Sequence, residues 1–391
     1  MKIQFLLKKP LIKVILSIII GFFVGAVVLL LAGFNPINAY AALIYGIFSK
    51  PRYVAQVIIK GTPLILTGLS VTFAFKSGLF NIGGEGQYII GSIFAVLAGY
   101  LLKLPPVVHF FVVIIVGAVA AGLWGSIIGY LKAKLGIHEV ITSIMLNWVA
   151  FYLNNYMVSL PWLAKPDSDS SYPINKTAWD VVLNGYKTSA QGRRELLKSH
   201  PVLSDVLLKT DFNYGILIAI IICLLVWILL KHTKQGFEFR AVGSNKYAAE
   251  FAGMNMKKNI ILSMFISGAI AGLAGALQIT GTTPHRIGLL SAQEGYGFDG
   301  ISVALVGCLS PLGCILAGLL FGALKYGGVA IQSVIGAPSE IINIIIGIIV
   351  FMIAMSPIFE IFSNYITKKQ SVKVKNSSEK KEGLEWLVWF L

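Results

Sequence analysis

Acidic and basic side chains are scarce in this sequence. They make up 13% of its 391 residues, whereas soluble domains carry roughly 25%. That shortfall excludes an ordinary water-soluble fold, and its distribution points to a membrane. No Asp, Glu, Lys or Arg occurs between Val14 and Ser49, nor in 104–131, 140–164, 212–230, 259–284, 300–324 or 341–359. A helix needs about 20 apolar residues to cross the hydrocarbon core of a bilayer, and most of these runs qualify.

Cysteine is also rare. Cys223, Cys308 and Cys314 all lie inside apolar runs, where an odd number gives neither a disulfide framework nor metal-ligand spacing. No Gly-Lys pair exists anywhere in the chain, which excludes a P-loop. His138-Glu139 has no second histidine at metalloprotease spacing, and no G-x-S-x-G elbow stands on a strand-turn-helix. The chain therefore reads as a non-enzyme that binds no cofactor of its own. A net charge of +15 could suggest nucleic acid, but no basic-aromatic array supports that partner. The Lys and Arg residues collect at the ends of the apolar runs, as the positive-inside rule requires.

What is present is a series of spans, expected near 11–33, 54–75, 85–103, 107–131, 139–160, 213–231, 259–281 and 337–356. The first runs apolar from Val14 to Gly33, longer than a signal-peptide core of about 7–15 residues, so it reads as a retained span. Residues 297–327 are apolar but broken at Ser310-Pro311-Leu312-Gly313. Each half is short, so they read as two half-helices in a re-entrant hairpin. Non-helical backbone at that depth is tolerated only when buried in protein or lining a wet cavity. The fold class is an all-α polytopic membrane protein, with about eight full spans plus the hairpin, or about 8–10 segments.

Orientation follows from charge. Lys2, Lys8, Lys9, Lys13, Lys76, Lys132, Lys134, the cluster across 231–258 and the Lys-rich tail fall on one side. The short segments on the other hold Lys50, Arg52, Lys60, Lys103, Arg286 and Lys325. Both termini are thus expected in the cytoplasm. The organisation is a cytoplasmic arm (1–10), a transmembrane unit (11–357) and a cytoplasmic tail (358–391). Within the unit, 161–211 is an extracytoplasmic loop that could cap the outer face, receive a partner or stand solvated. The tail ends in Trp386–Leu391, which suits contact with membrane lipid.

Polar residues inside apolar surroundings carry the functional signal. In "KSGLFNIGGEGQY" (76–88), Asn81, Glu85 and Gln87 sit among four glycines. Glu85, like Glu294 and Asp299, could hydrogen-bond a polar solute or cap a half-helix, where the helix dipole favours a carboxylate. Asn147 lies within a span and needs a protein partner or a watery path. EGQYIIGSIFA (85–95) and EGYGFDGISVA (294–304) share E-G-x-x-x-x-G-x-x-x-A, and paired interrupted segments can mark a transport path.

A second stretch, "GFEFRAVGSNKYAAEFAGMNMKK" (236–258), lies between strong spans. Ser244 or Asn245 can cap a helix there and Gly253 can end it. The resulting helix, with Ala248, Ala249 and Ala252 beside Lys246 and Glu250, is too short to be stable alone. It suits docking into another protein's groove.

Four stretches in order, "GLFNIGGEGQ", "HEVITSIMLNWVAFYLNNYMV", "RAVGSNKYAAEFAGM" and "GYGFDGISVALVGCLSPLG", resemble permease subunits of ABC importers for nucleosides and simple sugars, related to ribose and branched-chain amino acid permeases. The resemblance covers roughly 55–355. It implies a homodimer or heterodimer of permeases in a bacterial plasma membrane, two ATPase subunits that hold ATP and Mg, and an extracytoplasmic solute-binding protein or lipoprotein. It also implies that 244–254 is a coupling helix, with Arg240, Ser244, Asn245, Ala248, Ala249, Glu250 and Gly253 transmitting ATPase motion. Asn81, Glu85, Gln87, Asn147, Glu294, Phe298 and Asp299 would line the translocation pathway. The alternatives are an ion-coupled secondary transporter and an ABC permease for another sugar or amino acid.

Overall fold

The computed structural model describes residues 10–355 except 184–186, 188 and 339; the expected arm over 1–10, apart from Pro10, and the expected tail over 358–391 lie outside them. The described residues form α1 (Pro10–Leu31), α2 (Pro36–Phe48), α3 (Pro51–Lys76), α4 (Gly84–Leu101), α5 (Val108–Leu135), α6 (Glu139–Ser159), α7 (Ala190–Ser199) and α8 (Pro201–Lys209). They continue as α9 (Gly215–His232), α10 (Lys234–Ser244), α11 (Lys246–Phe251), α12 (Met256–Gly281), α13 (Tyr296–Val306), α14 (Pro311–Ile335) and α15 (Glu340–Ala354). Prolines open α2, α3, α8 and α14, where a missing N–H costs no hydrogen bond. Asn35, Asn245 and Asn255 cap α2, α11 and α12 through their side-chain oxygens.

Among the described residues, six helices are long and apolar enough to cross a membrane: α1, α3, α5, α9, α12 and α14. Their burial sorts them. The α3 window is 89% buried and the α12 window 72%, against 28% for α1 and α9. So α3 and α12 form the axis of the bundle, and α1 and α9 present apolar side chains such as Phe23 and Ile221 outward. One apolar core joins α3, α4, α5, α6, α9 and α12. A second joins α1, α2, α14 and α15 to the other side of α3.

The expected count of eight spans is not reproduced: α4, α6 and α15, over the expected spans 85–103, 139–160 and 337–356, form helices but fall outside these six. Two further regions depart from expectation. The hairpin over 297–327 is not formed by two half-helices. Its first arm is the short α13, but its second is α14, which runs 25 residues to Ile335. Lys325 therefore sits within a helix rather than in an outer segment, and it is held there by an ion pair with Asp299. The extra helix α2 was hidden inside the long uncharged run 14–49. It packs on α14, where Gly46 meets Ala330.

The bundle has two distinct ends. At one, α3 and α10 approach through Gly78 and Gly243, and α10 leads into α11. At the other, Asn213 before α9 donates to the carbonyl of Gly281 at the close of α12 at 3.1 Å. The described residues of 161–211 pack over this second end as a cap. Ser171, Ile174 and Asp180 donate backbone hydrogen bonds to Ile287, His285 and Thr280. Trp179 stacks on His285, and Arg52 pairs with Asp205 at 3.7 Å.

Candidate functional site

The glycine-broken turn before α4 is fixed by a closed polar knot. Asn81 Nδ2 lies 2.7 Å from both Gln87 Oε1 and Ser267 Oγ. Ser267 on α12 in turn donates to the carbonyl of Ser70 on α3 at 2.8 Å. Asn147 on α6 accepts the Gly86 amide at 2.8 Å and donates to the Ile82 carbonyl at 3.1 Å. A Cβ at Gly86 would lie 2.9 Å from the Asn147 backbone, so only glycine permits this approach. Asn81, Gln87 and Asn147 are all buried. They answer one another and neighbouring backbone, as buried polar groups must.

Glu85 is fully buried and serves a second helix. Its two carboxylate oxygens accept the amides of Gly295 and Gly297, each at 2.7 Å. These are the orphan donors at the start of α13. The start of α4 meets the start of α13 so closely that a Cβ on Gly297 would lie 2.1 Å from the Glu85 nitrogen. A carboxylate between two positive helix ends is favoured by both dipoles. The two segments with the shared E-G-x-x-x-x-G pattern thus open helices whose N-termini converge, and Glu85 acts as a cap across helices.

Between α12 and α13, residues 282–295 run without helix back along α6 to this meeting point. Backbone of that kind at membrane depth needs partners, and α6 supplies them. Asn154 donates to the Gly288 carbonyl at 2.9 Å. Asn155 donates to the Leu290 carbonyl at 3.0 Å and accepts the Leu290 amide at 2.8 Å. Against this segment lies a polar cavity of about 160 Å³, lined by Tyr88, Ser92, Gln278, Arg286, Glu294 and Tyr296 among others. Tyr88 and Tyr296 face each other with ring centroids 5.1 Å apart. Glu294 is exposed, Phe298 is exposed beyond it, and Asp299 binds Lys325.

At the opposite end, α10 and α11 form an elbow. Asn245 caps α11 by accepting the Ala248 amide at 3.1 Å, and Gly253 closes the turn at φ +79°. Arg240, Ser244, Asn245, Ala248, Glu250 and Gly253 are exposed, whereas Ala249 is buried against the protein itself. The most prominent side chains were missed from the sequence. Tyr247 is 84% exposed and Phe251 97%. They stand at i and i+4 and so share one face; two aromatics at that spacing in a polar segment were the available signal.

Comparison with known proteins gives a consistent result. Residues 53–354 match the model of the family described as branched-chain amino acid transport system / permease component. The chain is 38% identical to the guanosine ABC transporter permease protein NupP of Bacillus subtilis, over 91% of this chain and 96% of that one. It is 34% identical to the nucleoside ABC transporter permease protein NupB of Lactococcus lactis, over 94% and 96% of the two chains. It is 29% identical to the glucose ABC transporter permease protein TsgB13 of Haloferax volcanii, over 88% and 87%. No solved structure matches.

Proposed function

From the premise that this chain belongs to the branched-chain amino acid transport system / permease component family, we propose that it is the membrane-spanning permease subunit of an ATP-driven ABC importer for nucleosides. The observation that carries this is the likeness to NupP and NupB over nine-tenths of the chain. It is a multi-pass protein of the plasma membrane and works as a permease rather than a catalyst. Two partner ATPase subunits bind ATP and Mg, and an extracytoplasmic binding protein delivers the solute. The second permease is a different chain: NupP and NupQ of Bacillus subtilis both match, at 38% and 27% identity, as do NupB and NupC of Lactococcus lactis, at 34% and 26%.

The two ends of the bundle divide the work. The elbow of α10 and α11 faces the cytoplasm, and Tyr247 and Phe251 insert into the ATPase. The 161–211 cap faces outward beside the cavity that holds Glu294. The Asn81, Glu85, Gln87 and Asn147 contacts keep the broken helix starts in register, so that solute passes a rigid polar bend. The test is uptake of radiolabelled guanosine, adenosine and cytidine in cells lacking this chain alone. Saturable, ATP-dependent uptake that vanishes on deletion and returns with the gene supports the reading. Unchanged nucleoside uptake, with loss of hexose or amino acid uptake instead, overturns it.

A further inference from the structure

At the end of the bundle that carries the α10–α11 elbow, three cations from three helices converge. Lys76 closes α3, Lys231 lies in the last turn of α9, and Arg240 stands on α10. All three are exposed and line one cavity of about 270 Å³, whose walls also include Trp227, Ser310 and Pro311. The backbone fixes their approach, since a Cβ on Gly243 of α10 would lie 2.5 Å from the Lys76 carbonyl oxygen. Lys231 is held over the Trp227 ring, its ammonium 5.0 Å from the centroid, as a cation on an aromatic face. No acidic residue lines the cavity, and among the described residues none of the three cations pairs with a carboxylate. Like charges gathered in this way repel one another. The start of α14 adds to the positive potential, because it has no side-chain cap at Ser310 and no acid in its first turn.

The cavity thus asks for an anion, and its setting selects one. Ile221, Leu224, Trp227 and Lys231 recur at three- and four-residue spacing on α9, so they share a face. Ile221 and Leu224 are exposed deeper along the span, and α14 exposes Leu312 and Leu316 beside its start. Tryptophan at the end of an apolar helix suits the membrane–water boundary. A free anion would use only the cations, whereas a phospholipid uses the cations and the apolar side chains beneath them. We infer that this cavity binds the phosphate of an anionic phospholipid, whose acyl chains lie over α9 and α14. Basic pockets between membrane helices on the cytoplasmic side suit such headgroups. The lipid bridges α3, α9, α10 and α14 and so ties the elbow to the bundle. Its place in the inner leaflet rests on the orientation proposed above; the phosphate chemistry does not.

The experiment uses the complete transporter with its partner subunits, reconstituted in equal phosphatidylglycerol and phosphatidylcholine. After extraction in mild detergent, mass spectrometry counts the lipids that remain bound. Phosphatidylglycerol should exceed phosphatidylcholine by about tenfold or more, because each basic side chain adds to the attraction for an anionic headgroup. The triple variant Lys76→Gln, Lys231→Gln, Arg240→Gln should lose this preference. A control with Lys134→Gln, Lys257→Gln and Lys258→Gln, exposed at the same end but outside the cavity, should keep it. Ser310→Asp places a carboxylate in the cavity and should also lose the preference, with a melting temperature no lower than the parent's, which separates lipid loss from unfolding. No preference in the parent would overturn the inference, as when an acidic side chain of the ATPase fills the cavity. Parental preference in the triple variant, or equal loss in the control, would do the same. Displacement of the lipid by an excess of inorganic phosphate would assign the cavity to a free anion instead. Lipid retention is read without transport, so failure of nucleoside uptake counts against the proposed function and leaves this site standing.

Discussion

Two single carboxylates show how local surroundings set a residue's task. Glu85 spends both oxygens on the start of a different helix, so its length matters as much as its charge. Glu85→Gln keeps one acceptor and should cost about 1.5–3 kcal/mol, the worth of a hydrogen bond to a charged group. Glu85→Asp should not rescue it, because the shorter side chain cannot span from α4 to α13. Thermal unfolding in detergent measures both, and parental melting temperatures in the two variants would remove the cap from the account. Asp180, in the cap outside the membrane, is the second case. Burial pushes its pKa up from 3.8 to about 6, against the amides of Tyr214 and Gly215, which favour the anion. The folded state therefore binds the proton more tightly than the unfolded chain. That contribution is complete below about pH 4 and is lost as the pH rises through about 6, a change on the order of 2–3 kcal/mol. Asp180→Asn should flatten the pH dependence of the melting temperature across this window and raise stability at pH 7; a profile identical to the parent would refute the assignment.

At the scale of elements, α11 is the smallest helix with the largest consequence. Six residues cannot hold a helix by themselves, so Asn245, Gly253 and buried Ala249 fasten it to its neighbours. Tyr247→Ala and Phe251→Ala should each weaken ATPase co-purification by roughly 30-fold, the loss of about 2 kcal/mol typical of an aromatic anchor, while membrane insertion is unchanged. Ala249→Trp should act differently, lifting α11 off its bed at a cost of about 1–3 kcal/mol of overpacking. If both aromatic variants bind ATPase as the parent does, α11 is not the docking element. The elements also show what could be read in advance. The spans at α3, α5, α9 and α12 were legible because long uncharged runs need no tertiary knowledge. The break before α14 at Ser310-Pro311 was legible too, but the far end of that helix at Ile335 was not, since Lys325 looks like a terminus until Asp299, 26 residues away, is placed beside it. Asn81 was legible as a polar residue in an oily stretch, but its burial depends on Ser267, 186 residues on. Hydropathy sees neither distance.

For the whole molecule, the two ends should prove to lie in different compartments. A cysteine at Tyr247 should react with an impermeant thiol reagent only in inverted vesicles, and one at Lys165, exposed in the cap, only in intact cells; reaction of both from the same side would overturn the arrangement. The unwound stretch 282–295 carries a different implication, for the order in which the protein is made. Its peptide groups find their partners on Asn154, Asn155 and Glu85, all of which leave the ribosome more than a hundred residues earlier. The first half of the chain is thus a built-in template for the second. A nascent chain stopped after α12 should already sit stably in the bilayer, whereas a C-terminal piece made alone would carry bare peptide groups into lipid and be degraded.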